Sequence, residues 1–194
     1  MKKFIYEDYI NDINNILSDE DVEKRIVQVN NDYGVILQYR LGDAWGMPDY
    51  CLLVLDSDKD NIVTINNKNE MKYETITQTE LNNIKDYLMK NEILYDEDML
   101  EVPTPLLDGT TDNFMISFND KFIEIECDNL WYWLENDVME SHRLLKDEIK
   151  NADNEIDEIG NVEYTKAIVD LLLLLKNILG KHNIELQLYL DEDN

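Results

Sequence analysis

The sequence predicts a single α+β domain spanning residues 1–194, with about three to four helices packed on an antiparallel meander sheet of about six to eight strands. Three observations support this fold class. Apolar residues recur at a period of two in several short segments and at a period near 3.6 in others. The chain has 194 residues, of which 44% are hydrophobic, so it can bury a substantial core. No internal repeat divides it.

The N-terminal part begins with a helical pattern. Residues 3–17 place their apolar side chains on one face and predict a surface helix. The period then changes to two, because Ile26, Val27 and Val29 follow an acidic break and predict a strand. Turn residues 30–32 join this segment to the alternating residues 33–41. We therefore expect a β-hairpin after the first helix.

The middle of the chain continues the predicted sheet. A loop rich in glycine and acidic residues, 42–49, is followed by three short apolar segments that predict strands: residues 50–55, 62–66 and 71–76. Thr77 and Glu80 have the spacing of a capping box, which predicts a helix over residues 78–90. Residues 92–112 contain prolines and acidic runs, and we expect them to form a connector.

A second hairpin is predicted after this connector. Residues 114–118 and 123–127 alternate on either side of a tight Asn119-Asp120 turn. Glu124 and Glu126 alternate with the apolar residues of the second strand. One face of this hairpin is therefore expected to be acidic, and Glu124 and Glu126 are candidates for partner binding.

The C-terminal part is predicted to be mostly helical. From Asp128, a favourable N-cap, apolar residues recur at helical spacing to Ile149, which predicts a helix of about six turns with Trp131 facing the core. Residues 162–179 are apolar nearly all round, so we expect a central helix there. Residues 184–190 then alternate strictly and predict a last strand of the sheet.

The composition restricts the class of partner. The chain has 43 acidic and 17 basic residues, a formal charge of −26, and a pI near 4.1. Such a charge repels nucleic acids and anionic membranes and attracts basic proteins. An acidic surface that only favours solubility is the alternative. We expect a protein partner, with neither nucleic acid nor membrane bound.

The cysteines and the N-terminus indicate the compartment. Cys51 and Cys127 lie in apolar, strand-like segments, so we expect free, buried thiols with no disulfide framework or zinc site. Glu7 and Asp8 interrupt the first apolar stretch before it reaches the length of a signal peptide. Leu171–Leu175 is far shorter than a membrane span. These features predict a cytoplasmic protein.

One segment contains a candidate metal site. Asp56, Asp58 and Asp60 have the D-x-D-x-D spacing that opens a calcium loop. Asn61 stands where such a loop needs glycine, Asn67 stands where it needs a bidentate glutamate, and the flanking segments are predicted strands. A hairpin turn stabilised by its own Asp and Asn side chains is the alternative. We expect no bound metal and no cofactor.

No set of residues predicts catalysis. The two histidines, His142 and His182, have no nucleophile or metal-ligand neighbour at local spacing. With 43 carboxylates, no particular acid and base pair can be selected. We therefore expect a binding protein without catalytic residues.

Two further surfaces are candidates for partner binding. If Trp131 faces the core, a stripe of one aromatic, two acidic and one aliphatic residue lies on the opposite side of its helix: Trp133, Asp137, Glu140 and Leu144. Coverage of Trp133 and Leu144 by a second helix is the alternative. The other surface is the loop with Trp45 between Asp43 and Asp49, whose tryptophan either binds a partner or covers the core.

The chain resembles the immunity proteins of bacterial polymorphic and contact-dependent toxin systems. The resemblance lies in its compact acidic α+β style, in Asp108-Gly109 before the 114–127 hairpin, and in Asn129-Leu130-Trp131. It implies an inhibitor that neutralises a cognate basic, nuclease-type toxin by stoichiometric binding. A DNA-mimic inhibitor of another nucleic-acid-binding protein, and a carboxylate metal-binding enzyme or domain, are the alternatives.

Overall fold

The structure is a computed structural model that describes residues 2–16, 22–43, 48–66, 68–95, 110–119, 121–151 and 161–188. Its helices in chain order are α1 (Tyr6–Asn14), α2 (Val22–Tyr33), α3 (Gln78–Lys90), α4 (Leu130–Glu135), α5 (Val138–Asn151) and α6 (Val162–Lys181), with a 3-10 turn at Glu92–Tyr95. Its strands are β1 (Val35–Asp43), β2 (Pro48–Leu55), β3 (Ile62–Asn66), β4 (Met71–Glu74), β5 (Thr110–Phe118) and β6 (Lys121–Asp128). The fold is α+β, as predicted.

The described strands form one antiparallel sheet with the order β4-β3-β2-β1-β5-β6. Strands β1 to β4 form a meander, and the β5–β6 hairpin pairs with β1 on its other side. Between β4 at one edge and β5 beside β1, the chain forms α3 and the 3-10 turn, and this turn contacts β6. Among the described helices, none combines the length and the apolar character that a bilayer crossing requires.

The larger hydrophobic core lies between one face of the sheet and helices α3, α4 and α6. Leu37, Leu52 and Phe114 of the sheet are fully buried there, together with Leu172 of α6. Helix α6 has ten buried side chains, and this confirms the predicted central helix. The predicted helix α3 is also confirmed, including both hydrogen bonds of its capping box.

The opposite face of the sheet is covered by α1 and α2 over its β1–β4 part, and α2 also contacts β5. Leu53 of β2 and Val63 of β3 are fully buried in this smaller core, beside Tyr9 of α1. The Tyr9 hydroxyl donates to Asn30 Oδ1 at 2.9 Å and connects the two helices. The predicted first helix is thus confirmed, and it serves to close this second core.

The predicted strand at Ile26, Val27 and Val29 is wrong. These residues lie in α2, whose buried positions are Ile26, Asn30 and Tyr33, at helical spacing. Two of the three are polar or amphipathic, and Asn30 is buried because its amide oxygen accepts the bond from Tyr9. The helical spacing was therefore missed, because hydropathy does not identify Asn30 and Tyr33 as core residues.

The predicted six-turn helix from Asp128 is divided into two. Asn136 is extended and ends α4, and Asp137 Oδ1 accepts from the Glu140 backbone N–H at 2.8 Å, which caps α5. Asp128 is the last residue of β6 and does not cap α4. The α4 cap comes from Asp112 of β5, whose Oδ2 accepts from the Leu130 N–H at 2.9 Å.

The predicted last strand is wrong for its described part. Residues 184–188 form no sheet ladder, and positions 189–190 lie outside the described residues. Ile184, Leu186 and Leu188 alternate inward against the larger core, and the Tyr50 hydroxyl donates to the Glu185 carbonyl at 3.1 Å. The alternation therefore reflects a segment with one buried side, which the Tyr50 hydroxyl binds by a hydrogen bond.

Candidate functional site

The β5–β6 hairpin presents a row of carboxylates on the face of the sheet opposite the larger core. Ile123, Ile125 and Cys127 pack into that core, so the residues between them point the other way. The acidic row consists of Glu124, Glu126 and Asp128, all exposed. Its members are two residues apart, or about 6.7 Å along the strand. The acidic face predicted for this hairpin is present.

Two side chains of β5 hold the ends of the acidic row. Asn113 Nδ2 donates to Glu124 Oε1 at 3.1 Å, and Thr111 Oγ1 donates to Asp128 Oδ1 at 3.2 Å. No ion pair within the described part of the chain involves a carboxylate of the row. The row therefore keeps its negative charge available to a cationic partner.

Sequence reasoning found two of the three members of this row. Glu124 and Glu126 were predicted to bind a partner, whereas Asp128 was predicted to cap a helix. The strict alternation 124, 126, 128 is the signal that places Asp128 on the same face. The hydrogen bond from Thr111 confirms its position there.

The predicted stripe on the following helix is not assembled. Trp133 is 1% exposed and packs in the larger core, so its predicted exposure is wrong. Asp137 is the cap of α5, and Glu140 forms an ion pair with Arg143, with Arg143 Nε 2.9 Å from Glu140 Oε2. Leu144 is 46% exposed, as predicted.

The outer face of α5 therefore has a different composition from the predicted stripe. Met139 is 60% exposed on the same helix as Leu144, and the Glu140–Arg143 pair lies between them around the helix. This face lacks the aromatic residue of the predicted stripe, and the charge of Glu140 is neutralised by Arg143. Because α4 packs in the larger core and α5 packs against α4 and α6, this face and the acidic row lie on opposite sides of the sheet.

The loop candidate lies mostly outside the described structure. Trp45 is outside the described residues. Asp43 is the last residue of β1, and Asp49 is the second residue of β2. The structure does not describe their side chains. The binding role predicted for this loop stays a prediction.

The D-x-D-x-D segment forms the connection between β2 and β3. Asp56 forms an ion pair with Lys85 of α3, and Asp60 has a positive φ of 49°. Asn61 is 1% exposed, and its amide donates to the Ile76 carbonyl and accepts from the Ile76 N–H. Among the described residues, no three His, Cys, Asp or Glu side chains, Asp58 included, are grouped to hold a metal ion.

The buried thiols of Cys51 and Cys127 and the buried carboxyl of Asp112 lie within the packed interior of the fold. Cys51 and Cys127 are free and buried, as predicted, and burial raises the pKa of the Cys51 thiol to about 11. Burial also raises the pKa of Asp112 to about 6, although Tyr39, Leu130 and Thr110 donate hydrogen bonds to its carboxylate. These donors connect β1, β5 and α4, so Asp112 joins elements of the core.

The histidines also connect elements of the fold. His142 is 3% exposed, and its Nε2 lies 3.1 Å from Thr165 Oγ1 of α6. His182 Nε2 lies 2.7 Å from Glu80 Oε2, at the junction of α6 with α3. Hydrogen bonds from His182 and Thr77 lower the pKa of Glu80 to about 2.

A cavity of about 480 Å³ lies on the side of the sheet that α1 and α2 cover. Lys2, Lys3 and Lys59 line it together with Tyr33 and Tyr73. Lys2 Nζ lies 2.9 Å from Asp12 Oδ2 and also stands over the Tyr33 ring. Asp56 and Asp60 also line the cavity, so its charge is mixed, and it shares no residue with the acidic row.

No protein-family model matches this sequence, and no curated protein matches it significantly. Functional conclusions for this chain therefore rest on its own geometry and charge.

Proposed function

We propose that this protein binds a cationic protein through the acidic row and inhibits it by stoichiometric association, as an immunity protein does with a nuclease-type toxin. The observation that carries the proposal is the set of three exposed carboxylates at alternate positions of β6, none in an ion pair with a described residue. Carboxylates available in this way attract and orient a basic surface.

The position of the row on a strand supports this function. A strand that is hydrogen-bonded to its neighbour along its length is more rigid than a loop, so the carboxylates keep a fixed spacing before the partner arrives. The bonds from Asn113 and Thr111 reduce the freedom of the two end carboxylates further. Less conformational entropy is then lost on binding.

The net charge of −26 supports fast association. A field of this sign accelerates the encounter with a basic protein over distances up to about a Debye length, near 8 Å at physiological salt. A nuclease needs a basic surface to hold the phosphates of its substrate. Carboxylates that occupy or border that surface exclude the nucleic acid.

The test is an inhibition assay with the product of the gene adjacent to this one. The purified chain should inhibit the activity of that product at a one-to-one ratio. The double variant Glu124→Lys and Glu126→Lys should weaken the complex about 100-fold or more, because two carboxylates that face cations are reversed. Binding is measured by calorimetry and inhibition by nuclease turnover.

A charge-matched control separates local contacts from net charge. Asp58→Lys with Asp86→Lys makes the same change in net charge at two exposed positions away from the row. This control should bind within about threefold of the unmodified protein. Equal weakening by both double variants, or no complex at all, would contradict the proposal. Competition by duplex DNA for a different captured protein would favour the DNA-mimic alternative.

A further inference from the structure

Strand β6 forms an edge of the sheet in the described structure. The strand order ends at β6, and no described strand pairs with its outer side. An unpaired edge presents a line of backbone N–H and C=O groups that another extended segment can use. Strand β6 is eight residues long, whereas the strand at the other edge, β4, has four.

The hairpin register identifies the groups on this edge. The two-residue connection between Phe118 and Lys121 makes them a hydrogen-bonded pair, and such pairs then alternate along the hairpin. The bond from the Asn129 N–H to the Thr110 carbonyl, at 2.8 Å, fits this alternation. The outward backbone groups therefore belong to Phe122 and to the three residues of the acidic row.

The three residues of the acidic row thus supply both the outward backbone groups of the edge and its negative charge. An antiparallel strand added to β6 would form its hydrogen-bonded pairs with Glu124, Glu126 and Asp128. In such pairs, opposing side chains lie on the same face, about 5 Å apart at Cβ. Each incoming residue opposite the row would meet a carboxylate directly.

We propose that an extended segment of the cationic partner adds to β6 as an antiparallel strand, with Lys or Arg at every second position facing the acidic row. Charge selects this occupant over a second copy of the chain, since pairing two β6 strands would set carboxylate against carboxylate. Opposite charges at directly paired positions stabilise a two-strand ladder. This inference rests on the proposed function and adds the mode of binding.

Two polar atoms on the same face of β5 lack partners. Ser117 is 2% exposed, and its hydroxyl oxygen has no hydrogen-bond partner in the described structure. Asn113 Oδ1 is also buried and accepts no hydrogen bond there. Asn113 is paired with Glu126 in the hairpin, so its oxygen borders the acidic row. Ser117 is paired with Phe122 and lies beyond the row, so of these two atoms only the Asn113 oxygen is placed to accept from a guanidinium or ammonium group bound there.

The test uses peptides whose backbones differ and whose charges do not. An eight-residue peptide that alternates Lys and Thr matches the length of β6. In the proposed pairing, the N–H groups of its Lys residues face β6 and those of its Thr residues face solvent. Backbone N-methylation at the Lys residues should weaken binding at least roughly tenfold, and N-methylation at the Thr residues should have little effect. Affinity is measured by fluorescence anisotropy.

A pair of protein variants tests the same ladder from the other side. Glu126→Gln removes a carboxylate and keeps the backbone N–H, whereas Glu126→Pro also removes that outward N–H. The proline variant should bind the unmethylated peptide at least severalfold more weakly than the glutamine variant. Hydrogen exchange should show slower exchange of the Glu124 and Glu126 amides in the complex with the native chain. If the proline variant does not fold, the methylated peptides and the exchange data decide with the native chain.

The outcomes separate the binding mode from the proposed function. If all three peptides bind equally and Glu124→Lys with Glu126→Lys abolishes binding, charge docking stands and strand addition is overturned. If no peptide binds, strand addition is also overturned, and the row then serves to prevent edge-to-edge pairing. The inhibition assay with the unmodified chain decides the proposed function independently of both results.

Discussion

The indole ring of Trp133 lies against the imidazole ring of His142, with centroids 5.0 Å apart and planes inclined by 35°. Both side chains are almost fully buried, so this contact joins α4 to α5 across the break at Asn136. His142 in turn contacts Thr165 of α6. Trp133 thus fixes the arrangement of three helices above the sheet.

Replacement of this indole should therefore destabilise the fold. We expect Trp133→Ala to lower the free energy of unfolding by about 3–5 kcal/mol, the range for a fully buried aromatic residue. Trp131→Ala, at a half-buried position on the same helix, should lower it less. Urea denaturation followed by circular dichroism measures both. An unchanged stability for Trp133→Ala, together with lost partner binding, would restore the surface interpretation of this residue.

Asp112 should make the stability depend on pH. Burial raises its folded-state pKa from 3.8 to about 6, so the folded state holds its proton more tightly than the unfolded state does. The contribution to stability is complete below about pH 4 and is lost as the pH rises through about 6. The loss amounts to up to about 3 kcal/mol.

Asp112→Asn should remove this part of the pH dependence. Urea denaturation at several values between about pH 4 and pH 7.5 measures the slope for both proteins. Asp58→Asn changes the same charge at an exposed position, and it should keep the slope of the unmodified chain. Parallel slopes for Asp112→Asn and Asp58→Asn would show that burial of Asp112 does not set the dependence.

The elements that the sequence predicted correctly depend on local patterns. The capping box of Thr77 and Glu80 sets the start of α3, and the alternation of residues 123–127 sets the inward face of β6. Both signals act within a few residues of chain, where propensity and periodicity operate. The acidic row could be found for the same reason.

The errors come from contacts between residues distant in sequence. Asn30 is a core residue of α2 because Tyr9 bonds to it, and Asp112 caps α4 from another strand. Neither partner is visible in a local window. The break at residues 136–137 did have a local signal, the Asn136-Asp137 pair, since both residue types favour helix ends. Within α4 the buried residues are Leu130 and Trp133, three positions apart, so Trp133 faces the core.

Glu80 should stabilise the junction of α3 and α6 at pH values above about 4.5. Its folded-state pKa is lowered from 4.5 to about 2 by bonds from His182 and Thr77. Glu80→Ala removes the capping box and the His182 contact, so we expect a loss of about 1–2 kcal/mol at pH 7. The difference from the unmodified chain should shrink as the pH falls from about 4.5 toward 2.

Urea denaturation at pH 7 and near pH 3 measures this change. Asp86→Ala, at an exposed position of the same helix, is the control and should have little effect at either pH. A Glu80→Ala variant as stable as the control at pH 7 would show that the His182 contact contributes nothing to the junction.

We expect the side chain of Asn61 to stabilise the fold and calcium to have no effect on its stability. Its buried amide makes two hydrogen bonds to the backbone of Ile76, at 2.9 and 3.1 Å, and this fixes the turn that contains Asp56, Asp58 and Asp60. Asn61→Ala leaves both Ile76 groups unpaired and should cost about 1–3 kcal/mol. Scanning calorimetry with and without millimolar calcium should give the same Tm for the unmodified chain. A rise in Tm that Asp58→Asn abolishes would instead indicate a carboxylate metal site.

The salt dependence of association should distinguish steering by the acidic row from apolar docking on α5. Between about 50 and 300 mM salt, the association rate constant with the cationic partner should fall roughly tenfold, because screening shortens the range of the attraction. The dissociation rate should change much less. Glu124→Lys with Glu126→Lys should flatten the dependence more than the Asp58→Lys and Asp86→Lys control does, since only the former removes charge at the contact. Surface plasmon resonance measures both rates. An association rate that does not respond to salt, with binding lost on Leu144→Ala, would place the contact on the outer face of α5.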